Sequence, residues 1–206
     1  MKIAIIGTGY VGLVSGACFA ELGHEVTCID KEESKIARLQ NGEVPIYEPG
    51  LDVLVKKNME ANRLVFTTQF TPGVPDAEVV FIAVGTPASR RGDGYADLTY
   101  VYEVARQLAP VLQGYTVVVN KSTVPVGTAR QVHRIISELH PGVDFDVASN
   151  PEFLREGAAI NDFLRPDRVV VGVDSPRAEA VLKSVYRPLY LLETPVVVTT
   201  IESAEL

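Results

Sequence analysis

The stretch MKIAIIGTGYVGLVSGACFAELGHEVTCID, residues 1–30, decides the fold of this chain. Its apolar residues 2–6 predict a buried strand, and the segment GTGYVG follows directly at positions 7–12. Residues 10–22 have the apolar periodicity of a helix, and residues 25–30 predict a second strand. A strand, a glycine-rich turn, a helix and another strand, in this order, predict a βαβ unit.

Three glycines give the turn the pattern G-x-G-x-x-G, which is a weak signal when it stands alone. Gly7 allows a tight turn, Gly9 lets the backbone approach a pyrophosphate because it has no Cβ, and Gly12 lets the helix pack closely on the strand. The helix, which Gly23 ends, presents unpaired N–H groups and a positive dipole end to phosphates. Between a strand and a helix, the pattern therefore predicts a dinucleotide-binding turn.

The second predicted strand ends in an acid, Asp30. A carboxylate at this point accepts hydrogen bonds from an adenosine ribose and repels a 2′-phosphate, so it favours NAD over NADP. The alternative is a purely structural glycine turn in which Asp30 caps the next helix. Lys35, one turn into that helix, lies either beside the cofactor or on a solvated face.

The rest of the chain alternates apolar runs with amphipathic stretches, which is typical of a parallel sheet covered by helices on both faces. Further strands are predicted at residues 64–67, 79–84, 116–120, 145–149, 168–173 and 196–199. Further helices are predicted at residues 31–39, 51–60, 99–112, 126–139, 156–161 and 176–186. We expect a doubly wound parallel sheet, a Rossmann-like α/β fold. Its first six strands form the dinucleotide unit, and the last two extend the sheet toward the substrate side.

Three stretches fall outside this alternation. Residues 41–50 form an irregular loop with two prolines, and residues 88–95 form a polar loop that we expect to be mobile and without chemistry. Residues 201–206 have the pattern of a helix cut short after its first turn. We therefore expect one NAD-binding domain over residues 1–200, followed by the start of a truncated central helix, with the C-terminal domains absent.

Composition excludes several classes of function. The net charge is −7 and no basic run is long enough to bind nucleic acid. No apolar stretch is long enough to span a membrane, and the N-terminus lacks the pattern of a signal peptide, so we expect a cytoplasmic protein. The two cysteines, Cys18 and Cys28, do not form a disulfide framework for a chain of 206 residues. We predict no metal site.

Two segments with unusual chemistry follow central strands, where ligands bind in open α/β sheets. VGTP at 84–87 forms a sharp turn that either lines a cofactor cleft or is an ordinary turn. NKSTVPVGT at 120–128 gathers hydroxyl groups between a strand and a helix. Helix capping explains one hydroxyl, but Ser122, Thr123 and Thr128 together exceed that need.

A third segment, NPEFLREG at 150–157, follows the sixth predicted strand. It carries two carboxylates, Glu152 and Glu156, which share a face if the segment is helical. Either carboxylate is a candidate general base or cofactor ligand. The alternative is a helix N-terminus enriched in acidic residues.

These segments together resemble the UDP-glucose 6-dehydrogenase family, within the UDP-glucose/GDP-mannose dehydrogenase superfamily. The resemblance covers nearly the whole chain, and its strings stand in the family's order. They are GTGYVG at 7–12, the acid at 30, NGEVPIYEPGL at 41–51, VGTP at 84–87, ADLTYV at 96–101, KSTVPVGT at 121–128, NPEFLREG at 150–157 and DFLRPDRVVVG at 162–172.

The resemblance implies three sets of site residues. It implies NAD contacts at Gly7, Thr8, Gly9, Tyr10, Val11, Gly12, Asp30, Lys35, Val84, Gly85, Thr86, Pro87, Ser122 and Glu156. It implies substrate contacts at Glu152, Phe153, Leu154, Arg155 and Glu156. It also implies that Thr123 and Glu152 position or activate water near the reacting carbon.

The implied reaction is the NAD-dependent oxidation of UDP-glucose to UDP-glucuronate in two hydride transfers, through a cysteine-linked thiohemiacetal and thioester. In the family this cysteine lies downstream of the residues matched here. Cys18 and Cys28 fall within a helix and a strand, where we expect buried, unreactive thiols. We therefore expect this polypeptide alone to be inactive.

Two rival functions remain open at the level of sequence. One is GDP-mannose 6-dehydrogenase or another nucleotide-sugar dehydrogenase, and the other is a non-catalytic NAD-binding module. Members of the family usually dimerise through the central helix, so we expect a full-length homodimer and a monomeric fragment.

Overall fold

The computed structural model describes residues 1–71, 73–89, 96–192 and 194–206, so most of the loop predicted at 88–95 lies outside the described residues. The strands are β1 (Lys2–Ile6), β2 (Glu25–Ile29), β3 (Leu64–Thr67), β4 (Val79–Ile82), β5 (Thr116–Asn120), β6 (Phe145–Ser149), β7 (Val169–Gly172) and β8 (Val196–Thr199). The helices are α1 (Tyr10–Glu21), α2 (Glu33–Gln40), α3 (Leu51–Glu60), α4 (Thr99–Leu108), α5 (Thr128–Leu139), α6 (Ala159–Leu164), α7 (Pro176–Tyr186), a 3₁₀ helix (Arg187–Leu192) and α8 (Ile201–Glu205).

Within the described residues, the strands form one sheet in the order β3-β2-β1-β4-β5-β6-β7-β8. The first six strands are parallel, and their order is that of a doubly wound dinucleotide-binding sheet, which confirms the predicted fold. The order reverses between β1 and β4. At such a switch point the crossovers from the two strands leave to opposite sides, which opens a crevice at the carboxyl edge.

The sheet is not parallel throughout. Strand β7 pairs antiparallel with β6 through Ser149 and Gly172, and β8 then runs parallel to β7. The connection from β6 to β7 therefore begins and ends at the carboxyl edge of the sheet instead of crossing its whole face. Residues 150–168, with the short helix α6, stay at the edge where the cofactor crevice opens.

Helix α1 is buried along most of its length, and its packing explains its sequence. A Cβ at Gly16 would lie 2.5 Å from Cys28 Sγ, so the helix contacts β2 closely at this point. The helix ends as predicted at Gly23, which has φ +95° and donates to the carbonyl of Ala20 at 3.0 Å. His24 N–H donates to Phe19 O at 3.2 Å, which completes a Schellman motif.

Glycines also explain where two predicted helix starts were wrong. The helix predicted from residue 126 begins at Thr128, because Gly127 has φ +95°. The helix predicted at 156–161 lies at Ala159–Leu164 instead, because Gly157 takes a left-handed conformation with φ +86°. The segment ahead of α6 is therefore an irregular loop, and Glu152 and Glu156 do not share a helical face.

Aromatic rings fill the core under the carboxyl edge. Phe19 stacks on Phe81 with 5.0 Å between centroids, and it meets Phe163 edge-on at 4.9 Å. All three rings are buried, and they join α1, β4 and α6 in one apolar cluster. The described helices include none that is long and apolar enough to cross a membrane.

Candidate functional site

The glycine-rich turn follows β1 and has the geometry that its sequence predicts. Gly7 has φ +103°, and a Cβ there would lie 2.6 Å from Ala83 O on the neighbouring β4 side. A Cβ at Gly12 would lie 2.0 Å from Gly7 O, so the turn and α1 pack too closely for any side chain. A Cβ at Gly9 would meet no protein atom within 4 Å. Gly7 and Gly12 are thus required by the fold, whereas Gly9 faces open space.

The N-terminus of α1 faces this open space. Its N-cap is Gly9, no side chain caps the helix, and its first turn contains no acidic residue. The first N–H groups and the positive dipole end are therefore available to an anion. A cavity of about 410 Å³ opens here at the switch point between β1 and β4. Its lining residues are Ile6, Gly7, Gly9, Ile29, Asp30, Lys31, Lys35, Thr68, Phe70, Ala83, Val84, Gly85, Tyr100, Glu103, Val104 and Gln107.

Asp30 connects the second strand to the glycine-rich turn. Its Oδ2 accepts hydrogen bonds from Thr8 N at 2.9 Å and from Thr8 Oγ1 at 2.7 Å. Lys35 Nζ donates to the same oxygen at 3.1 Å, and Glu32 N donates to Oδ1 at 3.1 Å. Burial raises the pKa of Asp30, but these hydrogen bonds outweigh burial and hold the pKa below its usual value. The side chain is therefore an anion at neutral pH.

This geometry argues against the structural alternatives for Asp30 and Lys35. The N-cap of α2 is Glu32, so Asp30 does not cap that helix. Lys35 lines the cavity and pairs with Asp30, so it does not lie on a fully solvated face. Of the four hydrogen bonds to Asp30, only the one from Glu32 N is accepted by Oδ1. This oxygen can therefore still accept a hydrogen bond from a ribose hydroxyl.

The turn at 84–87 and the loop at 121–128 lie side by side, because they follow the neighbouring strands β4 and β5. Ser122 Oγ donates to Val84 O at 2.7 Å, and Thr86 Oγ1 donates to Thr123 O at 2.9 Å. The hydroxyl of Ser122 thus holds the β4 turn in place. Thr123 is exposed at the carboxyl edge.

The segment at 150–157 continues from β6 along the same edge. Glu152 accepts a hydrogen bond from Leu154 N, which folds the segment back on itself. The guanidinium of Arg155 binds Asp162 on α6 through Nε at 3.0 Å and Nη2 at 2.7 Å. The ion pair and hydrogen bonds lower the pKa of Asp162. The side chain of Arg155 is 77% exposed and therefore accessible to a ligand. Binding a ligand would require it to leave its ion pair with Asp162.

A second cavity, of about 400 Å³, is built mainly from residues that follow β6. It contains four of the five predicted substrate residues, Glu152 to Arg155, and it adds cationic side chains that the sequence did not indicate. Glu156 is exposed and is not among the described residues that line either cavity. The lining residues are Lys121, Asn150, Pro151, Glu152, Phe153, Leu154, Arg155, Asn161, Asp162, Phe163, Arg165, Pro166, Asp167, Arg168, Val169 and Tyr186.

A buried polar network forms the floor of this second cavity. Lys121 is 3% exposed, and its Nζ donates to Asn150 Oδ1 at 3.1 Å. Tyr186 donates its hydroxyl to the same oxygen, and the rings of Phe81 and Phe163 lie 5.8 and 5.7 Å from the ammonium. Burial lowers the pKa of Lys121 to about 8. The sequence did not predict this network. Lys121 stands before a hydroxyl-rich string, and nothing in the sequence shows that it contacts Asn150, which Tyr186 also contacts.

Neither cysteine is placed to act as a nucleophile. Cys18 and Cys28 are both buried, one in α1 and the other in β2. Burial raises the pKa of each thiol to about 12. A reactive cysteine needs exposure and a thiolate near neutral pH, so both are structural, as predicted. Among the described residues, no group of His, Cys, Asp and Glu side chains has the arrangement of a metal site.

The residues around the first cavity fit a dinucleotide. The space above Gly9 is open, the first turn of α1 is uncapped, and Asp30 is an anion beside them. Pyrophosphate suits the first two features and ribose hydroxyls suit the third. Gly7, Thr8, Gly9, Tyr10, Val11 and Gly12 would hold the pyrophosphate in this arrangement.

Comparison with known proteins identifies the same domain. A family model described as the UDP-glucose/GDP-mannose dehydrogenase family, NAD binding domain, matches residues 1–190. The chain is 61% identical over 208 residues to UDP-glucose 6-dehydrogenase of Rhizobium meliloti (strain 1021), covering 100% of this chain and 47% of that protein. It is 51% identical over 206 residues to UDP-glucose 6-dehydrogenase TuaD of Bacillus subtilis (strain 168), covering 100% and 44%. The chain thus spans just under half the length of these curated relatives.

Solved structures agree with this assignment. A UDP-glucose dehydrogenase from the hyperthermophilic archaeon Pyrobaculum islandicum superposes with a TM-score of 0.93 at 42% identity, covering 98% of this chain and 47% of that chain. A GDP-mannose dehydrogenase from Pseudomonas aeruginosa, solved as a ternary complex, superposes with a TM-score of 0.93 at 38% identity, covering 100% and 48%. The chain belongs to the UDP-glucose/GDP-mannose dehydrogenase family and carries its NAD-binding domain.

Proposed function

We propose that this chain is the NAD-binding part of an enzyme that oxidises UDP-glucose to UDP-glucuronate. The observation that carries the proposal is the pairing of two cavities at one edge of the sheet. The dinucleotide cavity opens at the end of β4, and the second cavity begins at Lys121 after the neighbouring β5. The hydrogen bond from Ser122 to Val84 joins the two segments between them. Hydride transfer requires that the hydride donor and the hydride acceptor bind next to each other.

NAD⁺, when bound, would supply the hydride acceptor for the two oxidations at C6 of the sugar. The chain's own residues hold and orient the reactants. The glycine-rich turn and α1 bind the pyrophosphate, while Asp30 and Lys35 bind the adenosine ribose. Val84 and Gly85 of the turn at 84–87 line the first cavity, where they would support the reactive end of the cofactor.

The second cavity suits an anionic sugar nucleotide. It is lined by the cationic side chains of Lys121, Arg155, Arg165 and Arg168. The guanidinium of Arg168 lies over the ring of Phe153, with 5.5 Å to the centroid, so both side chains are held at the rim. We assign substrate contacts to residues 152–155 on this basis, together with the resemblance to the family, and to Glu156 from the resemblance alone.

Two residues are assigned to the hydrolytic part of the reaction. The alcohol-to-aldehyde step releases a hydride and a proton, and the step to the carboxylate also consumes water. Glu152 lines the second cavity and is the carboxylate assigned to activate that water. Thr123, exposed at the end of β5, is assigned to orient the water. Its backbone is held by the hydrogen bond from Thr86.

The thiol that carries the acyl group in this proposal is not one of the two in this chain, because both are buried. The 206 residues alone are therefore proposed to bind NAD⁺ without turning over UDP-glucose. We further propose that the whole enzyme acts in the cytoplasm as a homodimer.

The test compares this chain with the complete product of its gene, using NADH formation as the readout. The complete product is expected to form two NADH per UDP-glucose, and the isolated chain to form none in steady state. Glu152→Gln should lower kcat of the complete product by about a hundredfold, with a smaller effect on NAD⁺ binding. Steady NADH production by the isolated chain would contradict the proposal that the thiol carrying the acyl group is not one of the two in this chain.

GDP-mannose is the rival substrate, because the GDP-mannose dehydrogenase structure superposes as well as the UDP-glucose dehydrogenase structure. Competition between the two sugar nucleotides separates these activities. Preferential oxidation of GDP-mannose would replace the proposed substrate. A complete gene product that binds NAD⁺ but oxidises no sugar nucleotide would instead support a non-catalytic NAD-binding module.

A further inference from the structure

The segment NGEVPIYEPGL at 41–51 has no role in the function described so far. It leaves α2, passes over the surface and ends at the start of α3. Most of its side chains are at least partly exposed, yet Glu48 is only 6% exposed. A buried carboxylate in an otherwise exposed loop needs specific partners, since burial of an unpaired charge is strongly unfavourable.

Local sequence fixes the backbone at Glu48. Its carbonyl accepts a hydrogen bond from Leu51 N at 3.1 Å, which closes a β-turn with Pro49 and Gly50 at its centre. Gly50 has φ +81° and ψ −3°, as the third residue of a type II turn requires. The turn leads into α3, where Leu51 is fully buried. The side chain of Glu48 is therefore presented from a rigid corner.

The carboxylate of Glu48 contacts residues of two segments whose neighbouring residues line different cavities. Oε2 accepts from Gly157 N at 2.7 Å, and Oε1 accepts from Ala159 N at 2.9 Å, both just after the segment at 152–156. Oε2 also accepts from the hydroxyl of Tyr10, the first residue of α1. Tyr10 is adjacent to Gly9, so one carboxylate joins the cofactor turn to the substrate segment.

The charges of this contact are well defined. Burial raises the pKa of Glu48, but the hydrogen bonds from Tyr10, Gly157 and Ala159 hold it below its usual value. Burial and the adjacent carboxylate raise the pKa of Tyr10. Glu48 is therefore an anion and Tyr10 a neutral donor at physiological pH, so the hydrogen bonds are charge-assisted.

Capping of α6 does not account for all of these contacts. A carboxylate that only satisfied the N–H groups at the start of α6 would have no need of a tyrosine from α1. Tyr10 also reaches the substrate segment directly, since its hydroxyl lies 3.4 Å from Arg155 O. Two contacts thus run from the start of α1 to the residues that follow β6.

We propose that Glu48 is a positioning residue that fixes the segment at 152–156 relative to the glycine-rich turn. The proposal rests on the assignment of these two segments to substrate and cofactor. A ligand that orders one segment then orders the other through Tyr10 and Glu48. Because coupling between two binding sites is reciprocal, NAD⁺ and the sugar nucleotide each strengthen the binding of the other.

The first test measures amide hydrogen exchange of this chain with and without NAD⁺. In the wild type, NAD⁺ is expected to slow exchange across residues 152–159. Glu48→Gln should speed exchange at Gly157 and Ala159 about tenfold, because each loses a charged acceptor. Tyr10→Phe should leave these amides close to wild type without NAD⁺ but remove the slowing that NAD⁺ causes. If Glu48 only capped α6, Tyr10→Phe would keep the slowing of exchange that NAD⁺ causes.

The loop supplies matched controls for both changes. Glu43→Gln alters an exposed glutamate that pairs only with Arg38 among the described residues, and Tyr47→Phe alters a tyrosine that is 87% exposed. Both controls should behave as the wild type. Full NAD⁺-dependent slowing in Tyr10→Phe, or no slowing in the wild type, would overturn the proposal.

The second test uses the complete gene product. Glu48→Gln is expected to lower kcat about tenfold and to weaken NAD⁺ binding by less than about threefold, because the phosphate contacts remain. The controls should retain wild-type kcat. Failure of the complete product to oxidise UDP-glucose would contradict the proposed function, but it would leave the hydrogen-exchange result intact, so the two proposals can fail separately.

Discussion

The two cavities at the carboxyl edge have nearly the same volume, about 410 and 400 Å³, but they are built differently. The dinucleotide cavity is formed by the ends of β1, β2 and β4 and by the backbone of the glycine-rich turn. The second cavity is formed mostly by residues 150–169, which are irregular or short-helical and carry many charges. The first is shaped by close packing of backbone atoms at the glycine-rich turn, and the second depends on side chains held by other side chains.

Each cavity is therefore sensitive to a different kind of substitution. In the first, the limiting contacts are between backbone atoms, so an added methyl group is damaging and a changed charge has a local effect. In the second, a buried cation is held by one amide and two aromatic rings, so its protonation state affects stability.

Gly12→Ala and Gly9→Ala separate packing from ligand contact in the first cavity. The new Cβ at Gly12 would lie 2.0 Å from Gly7 O, so we expect a loss of about 3 kcal/mol or more in the free energy of unfolding. Gly9→Ala should cost no more than about 1 kcal/mol but weaken NAD⁺ binding at least about tenfold. Urea unfolding and calorimetric titration measure the two effects. Equal stability of both variants would contradict the conclusion that packing requires a glycine at position 12 but not at position 9.

Lys121→Met tests the charge buried under the second cavity. The pKa of Lys121 falls from 10.5 to about 8, so between these values the unfolded chain binds more protons than the folded chain. Stability of the wild type relative to Lys121→Met should therefore rise with pH across this window, by about 3 kcal/mol in total. Urea unfolding of both proteins between pH 7 and about pH 10.5 checks this, and other titrating groups cancel in the difference. A difference independent of pH would show that the ammonium is not desolvated.

Asp30→Ala tests the carboxylate that binds Thr8 of the glycine-rich turn. We expect NAD⁺ binding to weaken at least about tenfold and discrimination against NADP⁺ to shrink, because a ribose acceptor and a negative charge are lost. Separate calorimetric titrations of the two cofactors measure this. Asp76→Ala, at an exposed ion pair with Lys2, is the control and should leave both affinities unchanged. Unaltered NAD⁺ affinity in Asp30→Ala would remove Asp30 from the cofactor site.

Ser122→Ala tests the bond that joins the two cavities. Loss of the hydrogen bond to Val84 O should lower the free energy of unfolding by about 1 kcal/mol and NAD⁺ affinity by about threefold. Ser34→Ala removes an exposed hydroxyl that bonds only Glu32 within the described residues, and should change neither quantity. If the two variants are indistinguishable, the hydroxyl of Ser122 does not hold the β4 turn.

The sequence predicted the place and geometry of the glycine-rich turn well because their determinants are local. Strand β1 and helix α3 have the predicted bounds, and the G-x-G-x-x-G turn lies between β1 and α1 as expected. The backbone of a tight turn depends on which residue lacks a Cβ, and this is written in the sequence. The acid at the end of β2 was predicted for the same reason, since the strand places it beside the turn.

For the second cavity, the sequence indicated the segment NPEFLREG but not how its residues are arranged. NPEFLREG was identified, but its helix was placed too early, because a left-handed Gly157 ends the irregular part. The antiparallel pairing of β7 was not predicted, because an apolar run of four to six residues has the same pattern in either direction.

By itself, then, the sequence determined the doubly wound sheet, the cofactor turn and the family. Only the tertiary structure decided which polar groups share a partner. Lys121 and Tyr186 meet at Asn150, and Glu48 reaches Gly157 across 109 residues of sequence. Hydrophobic periodicity and turn chemistry depend on neighbours along the chain, so they can be predicted from it. A buried charge depends on partners that only folding brings together, and its energy is set by that desolvated contact.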